Sequence, residues 1–131
     1  MSRPARNGGE TPGKTAIENL KLPKYKTAAY EQAWQNKVER IGNLNYPEVA
    51  RKRRLSGTLK LSVSLKADGS LLNVSIRRSS GHAELDEAAA NIVRLAAPYA
   101  RFPEEIRAET DVLVITRTWQ FLDDFRLQTT P

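Results

Sequence analysis

Hydrophobic and polar positions alternate most clearly between residues 58 and 77. Leu59, Leu61, Val63 and Leu65 are separated by Lys60, Ser62 and Ser64, with Thr58 and Lys66 flanking the run. A period of two predicts a strand with one buried and one wet face. Leu72, Val74 and Ile76 repeat the pattern against Asn73, Ser75 and Arg77. Between the runs stands Asp68-Gly69, two residue types that tolerate the positive φ of a tight turn. The two runs are therefore expected to form an antiparallel hairpin.

On either side the period changes to that of a helix. Tyr30, Trp34, Val38 and Ile41 fall on one stripe, with Glu31, Gln35, Lys37 and Glu39 off it. This predicts a helix over 28–41, with Thr27 as N-cap and Gly42 at C′. Pro47 disfavours helical geometry at Tyr46 and can open a short helix through Lys52. After Ser79-Ser80-Gly81, the positions Leu85, Ala88, Ala89, Ile92, Val93 and Ala96 predict a helix over 82–97, ended by Pro98. Residues 98–110 read as a proline-containing connection. Asp111 to Phe121 reads as the last strand. Leu113, Ile115, Trp119 and Phe121 take one face and Val112, Val114, Thr116, Thr118 and Gln120 the other. Residues 123–131 are expected to fray.

The order helix, hairpin, helix, strand implies an α+β domain: two helices packed on one face of a three-stranded antiparallel sheet, α-β-β-α-β in strand order 2-1-3. The last strand is then an edge, and an edge presents main-chain groups that a foreign strand can extend.

Composition refines the boundaries. The chain has 131 residues, 40% of them hydrophobic, and a formal charge of +6. Residues 1–27 hold six basic side chains against two acidic ones, with Pro4, Pro12 and Pro23 and few large apolar groups. They read as a flexible basic linker, followed by a domain over 28–122 and a tail over 123–131. Because the excess charge sits mostly in the linker, nucleic acid is not an expected partner. The run Arg51, Lys52, Arg53, Arg54 reads either as a solvated face or as a contact for an anionic polymer.

The candidate chemistry is sparse. There is no cysteine and one histidine, His82. Disulfides, thiolate catalysis and two-histidine metal sites are excluded. His82 lies near Ser79 and Ser80, but that local spacing is not triad geometry. The pairs Glu104-Glu105 and Asp123-Asp124 sit in predicted loops. The expectation is no enzyme, no cofactor and no metal. The apolar stretches are too short to span a bilayer, and no signal-peptide core follows Met1.

One ordered set of motifs remains. Tyr46-Pro47 precedes Gly57-Thr58-Leu59-Lys60-Leu61-Ser62-Val63, then Asp68-Gly69-Ser70, Asn73-Val74, Ser79-Ser80-Gly81, Leu85-Asp86-Glu87-Ala88-Ala89 and Trp119-Gln120-Phe121. Over about residues 43–121 this order resembles the carboxy-terminal domain of TonB-family energy transducers. The resemblance implies the periplasmic domain of an inner-membrane-anchored Gram-negative protein, here without its membrane helix. It implies binding to the TonB box of outer-membrane transporters by strand addition, and proton-gradient-derived force for uptake, for example of siderophores. The implied partners are those TonB-dependent transporters and, through the missing N-terminal region, ExbB- and ExbD-type membrane proteins. Carried onto this sequence, the receptor-binding positions are Asn43, Leu44, Asn45, Tyr46 and Pro47 together with Val112, Val114, Thr116, Thr118 and Gln120. Asn43 stands where the family often has glutamine, a longer amide. The alternative is a paralogue whose domain binds peptidoglycan, through Arg51 to Arg54, or another envelope partner. The related TolA terminal domain usually relies on a disulfide, which this chain cannot form. A monomer or a weak homodimer is expected, since an edge strand can pair with its own copy.

Overall fold

A computed structural model describes residues 22–131. The elements are α1 (Lys24–Leu44), α2 (Glu48–Arg53), β1 (Gly57–Lys66), β2 (Leu71–Arg78), α3 (Ala83–Ala96), α4 (Glu104–Arg107), β3 (Val112–Phe121) and β4 (Leu127–Thr130). All four strands form one antiparallel sheet in the order β2-β1-β3-β4.

The α+β class, the hairpin and the 2-1-3 order are those expected from the alternation. β1 pairs with β3 without a break from Gly57↔Phe121 to Lys66↔Val112. Burial alternates residue by residue along β3, with Leu113, Ile115, Arg117, Trp119 and Phe121 buried. These side chains and Leu59, Leu61, Val63 and Leu65 of β1 form the core with Tyr30, Trp34 and Val38 of α1 and Leu85, Ala89, Ile92 and Val93 of α3. The opposite face carries hydroxyls and charges; across it the Ser62 and Thr116 hydroxyls lie 2.7 Å apart.

The hairpin turn is held by the connection that follows α3. The Tyr99 N–H donates to the Gly69 carbonyl at 2.8 Å, and the Phe102 N–H to Ala67 O at 2.9 Å. Gly69 has φ +90°, and a Cβ there would lie 2.1 Å from Tyr99 O. Glycine is thus required twice, by conformation and by the close approach of the backbone. The Tyr30 hydroxyl donates to Ala100 O at 2.6 Å, anchoring the same connection, and burial pushes its pKa up to about 12.

Four expectations are corrected. First, β3 is not the sheet edge and the C-terminus does not fray. Residues 122–126 turn, and β4 pairs with β3 from Thr118↔Thr130 to Phe121↔Leu127. Second, α1 starts at Lys24, within the presumed linker, and Pro23 is its N-cap residue. Thr27 lies inside the helix and is buried. The presumed linker's residues 1–21 lie outside the described residues. Third, Gly42 is not the C′ residue, because the helix runs on to Leu44. Its lack of a side chain serves packing, since a Cβ there would come within 2.4 Å of Leu127 Cδ2. Fourth, part of the connection 98–110 is helical, as α4, with Ile106 fully buried.

Candidate functional site

β3 and the flank of α1 that faces β4 bring together most of the polar chemistry. On α1, Gln35, Glu39 and Asn43 recur every fourth residue and so share one face. All three reach the main chain of β4. Asn43 Oδ1 accepts from the Leu127 N–H at 2.9 Å, and Asn43 Nδ2 donates to the Leu127 carbonyl at 3.1 Å. Glu39 Oε2 accepts from the Thr129 N–H at 2.7 Å and from its hydroxyl at 2.8 Å. Gln35 Nε2 donates to the Thr129 carbonyl at 3.0 Å.

These bonds fix which way each strand residue points. In an antiparallel strand successive residues present their N–H and C=O to opposite sides. Leu127 and Thr129 address α1, so Gln128 and Thr130 address β3, opposite Gln120 and Thr118. By the same alternation the main-chain groups of Val112, Val114 and Thr116 face away from β1, along the line that β4 begins. β4 stops opposite Thr118, so it lies beside the last four residues of β3 only. Further along that line a cleft of about 150 Å³ opens between β3 and the start of α1, lined by Leu22, Lys24, Thr27, Glu31, Val114, Thr116 and Arg117.

Arg117 is the residue that sequence reasoning missed. It occupies an inward position of β3 and is 8% exposed. Its Nη2 meets Glu31 Oε1 at 2.9 Å, its Nε donates to Gln35 Oε1 at 3.0 Å, and its Nη1 donates to Thr116 O at 3.0 Å. The available signal was a charge in phase with Leu113, Ile115, Trp119 and Phe121, facing a helix that carries Glu31 and Gln35 one turn apart.

The candidate positions at 43–47 divide by environment. Tyr46 is buried, with its ring 5.8 Å from Phe121 and 6.1 Å from Phe125. Burial raises its pKa, with Asp124 adding to the effect and Arg51 opposing it. Asn45 Nδ2 donates to Ile41 O at 2.8 Å and so closes its own helix. Leu44 is 72% exposed, a large aliphatic group at the end of α1. Pro47 is half-buried and opens α2 as expected. Val112, Val114, Thr116, Thr118 and Gln120 share the outer face of β3, half-buried throughout.

The basic run is less uniform than its sequence suggests. The Arg51 guanidinium sits 5.4 Å from the Tyr46 ring centre and 5.6 Å from that of Phe125. Arg53 pairs with Glu84. Lys52 and Arg54 are exposed, and Arg54 adopts φ 53° at the end of α2. Among the described residues no group of His or carboxylate side chains is arranged for a metal ion. No described helix is long and apolar enough to cross a membrane.

This fold and these motifs can be set beside known proteins. Residues 42–121, well over half of the chain, match the family described as the Gram-negative bacterial TonB protein C-terminal. The chain belongs to that family. It is 34% identical over 89 residues to Protein TonB of Pasteurella multocida, covering 68% of this chain and 34% of that protein. It is 31% identical over 81 residues to Protein TonB of Haemophilus ducreyi, covering 60% and 29%. The chain thus spans about a third of the length of these curated relatives. The solution structure of the Helicobacter pylori TonB C-terminal domain shares the fold, at a TM-score of 0.50 and 24% identity, covering 83% of this chain and 92% of that one. Within the TonB C-terminal match lie Tyr46-Pro47, the whole β1–β2 hairpin and β3; β4 lies beyond it.

Proposed function

We propose that this chain is the periplasmic, transporter-facing domain of a TonB energy transducer. In this reading it receives an extended segment, the TonB box, of an outer-membrane transporter alongside β3, and passes on a pull derived from the proton gradient. Family membership supports the general role. One observation carries the particular mode: β3 pairs with β1 over all ten residues but with β4 over only four. A transporter strand on that side would be held by several main-chain bonds loaded together in shear, in exchange for the partners that β3 already has there. Four or five such bonds, at about 0.5–1.5 kcal/mol each, contribute about 2–7.5 kcal/mol, so the backbone alone gives an affinity weaker than micromolar, for which ~8 kcal/mol is needed. Membrane partners of the ExbB and ExbD type would act through a region N-terminal to this domain. Active uptake, for example of siderophores, would be the outcome.

The test is a titration of labelled protein with a TonB-box peptide, followed by NMR. Chemical shifts are expected to move at 112–120 and 43–47. N-methylation of alternate peptide amides is expected to abolish binding in one phase and leave it nearly intact in the other, because an added strand uses every second donor. Equal tolerance of both N-methylated sets would refute strand addition.

A second contact, with an anionic cell-wall polymer, is favoured by exposed Lys52 and Arg54 beside Arg51. Charge reversal at 51–54 is expected to reduce pull-down by purified sacculi.

A further inference from the structure

The charges of this domain are sorted between its two layers. No strand carries a carboxylate side chain: among the described residues every Asp and Glu lies on a helix or in a turn or connection. The basic residues of the strands divide by direction. Arg117 is turned inward and paired with Glu31. Lys60 and Lys66 of β1 and Arg77 and Arg78 of β2 are exposed.

The registers put these exposed groups on one face, the one that the helices leave uncovered. Even-numbered residues of β1, β3 and β4 lie opposite one another, Lys60 lies opposite Arg78, and Arg77 Nη1 donates to the Ser62 hydroxyl at 3.3 Å. The other positions so placed are Ser, Thr, Asn and Gln, with Val112 and Val114 half-buried among them. No aromatic ring is included, since Trp119 and Phe121 point into the core, so the face has no platform on which a base would stack. Asp68, in the turn beyond Lys66, is tied to the Ser70 N–H and hydroxyl at 2.9 and 2.6 Å. Lys60 and Lys66 stand six strand residues apart, about 20 Å. Basic groups at that spacing suit a broad anionic surface rather than one small anion.

We propose that the uncovered sheet face rests on an anionic lipid surface, a bilayer displaying phosphatidylglycerol headgroups, with the carboxylate-bearing helical layer turned to water. Each basic group held near such a surface raises partitioning about fivefold. The contact is electrostatic and yields to salt. Its basic groups belong to β1 and β2, not to the positions assigned to the transporter.

Two triple variants of the full chain test this. Lys60→Gln/Lys66→Gln/Arg78→Gln strips the sheet face, and Arg40→Gln/Arg94→Gln/Arg101→Gln removes the same charge from exposed positions off the sheet. The probe is flotation with vesicles of equal parts phosphatidylglycerol and phosphatidylcholine. The first variant is expected to bind at least about tenfold more weakly than the parent chain and the second within about twofold of it. Vesicles of phosphatidylcholine alone are expected to retain none of the three. Equal loss in both variants would assign binding to net charge and overturn the proposal. So would undiminished binding by the first variant, or a loss confined to pull-down by purified sacculi. Orientation has its own readout, because the chain has no cysteine. A fluorophore on Asn73→Cys, on the face, is expected to be quenched by headgroup-labelled lipid more strongly than one on Asn36→Cys, exposed on α1. Equal or reversed quenching would overturn the arrangement.

Discussion

Single residues here do work that their type alone does not announce. Asp86 is the clearest case. It lies in the first turn of α3 and reaches back to the Ser79-Ser80-Gly81 loop. The Ser80 N–H donates to Asp86 Oδ1 at 2.9 Å, and the Ser79 hydroxyl donates to Oδ2. Partial burial pushes the Asp86 carboxyl up, but these hydrogen bonds outweigh it and hold the pKa below the usual carboxylate value. A depressed folded-state pKa adds stability above the unfolded pKa and loses it as pH falls through the folded one. Asp86→Asn is therefore expected to cost about 1 kcal/mol at neutral pH. Its melting curve should converge on that of the parent chain as pH drops below about 3.9. Thermal melts of both proteins from pH 7 to pH 2 check this; a gap that persists unchanged at pH 2 would contradict it. The motif Ser-Ser-Gly followed by Leu-Asp was legible in the sequence. That its serines and aspartate bond to one another became visible only once the loop folded back on the helix.

Between elements, the decisive contact is the one joining β3 to α1. Arg117 and Glu31 are separated by 86 positions and meet in a nearly closed environment. Removing one member leaves the other charge buried without its counter-ion. Arg117→Met alone is expected to destabilise by about 3 kcal/mol or more. Arg117→Met combined with Glu31→Leu is expected to recover much of that loss, because replacing both partners removes the desolvation cost with the attraction. Denaturant melts of the two single variants and the double variant measure the coupling. Additive costs would show that the pair contributes no linkage between strand and helix. The pairing and turn of the β1–β2 hairpin, by contrast, were readable, because its alternation is local and its Asp-Gly turn has one economical geometry; the buried face expected for β2 is not formed, since Leu72 and Ile76 are exposed and the register shifts twice. The strand β4 was not. It offers a single apolar residue, Leu127, and its turn takes positive φ at Phe125 rather than at a glycine. Its outer edge is satisfied by side chains more than 80 positions away.

At the scale of the whole molecule, stability is expected to be graded across the sheet. β1 is flanked on both sides and paired with β3 over its full length, and its inward side chains are completely buried. β4 is short and rests on one strand and one row of polar side chains. Local opening follows the number of buried apolar contacts and of supported main-chain bonds. Amide exchange in β4 is expected to be much faster than in β1 and the β1-paired side of β3, and to quicken further in a Glu39→Ala variant. Uniform protection of β4 and β1 would show that β4 opens only with the whole domain. A terminal strand that opens separately would let the domain change partners along β3 while its core stays intact.

The sequence by itself determined the class of the domain, the hairpin, the two main helices and the order of the first three strands. These follow from periodicity and turn chemistry, which act between neighbours in the chain. The family, too, was written in an ordered set of short motifs. Only the tertiary structure decided that β3 lies inside the sheet, that Gly42 makes room for Leu127, and that Gln35, Glu39 and Asn43 form a strand-matching row. The pairing of β4 with β3 is local in the chain, but the last two join segments more than 80 positions apart. A polar side chain carries no periodic mark of the distant backbone group it will satisfy, so such pairings appear only when the chain has closed on itself.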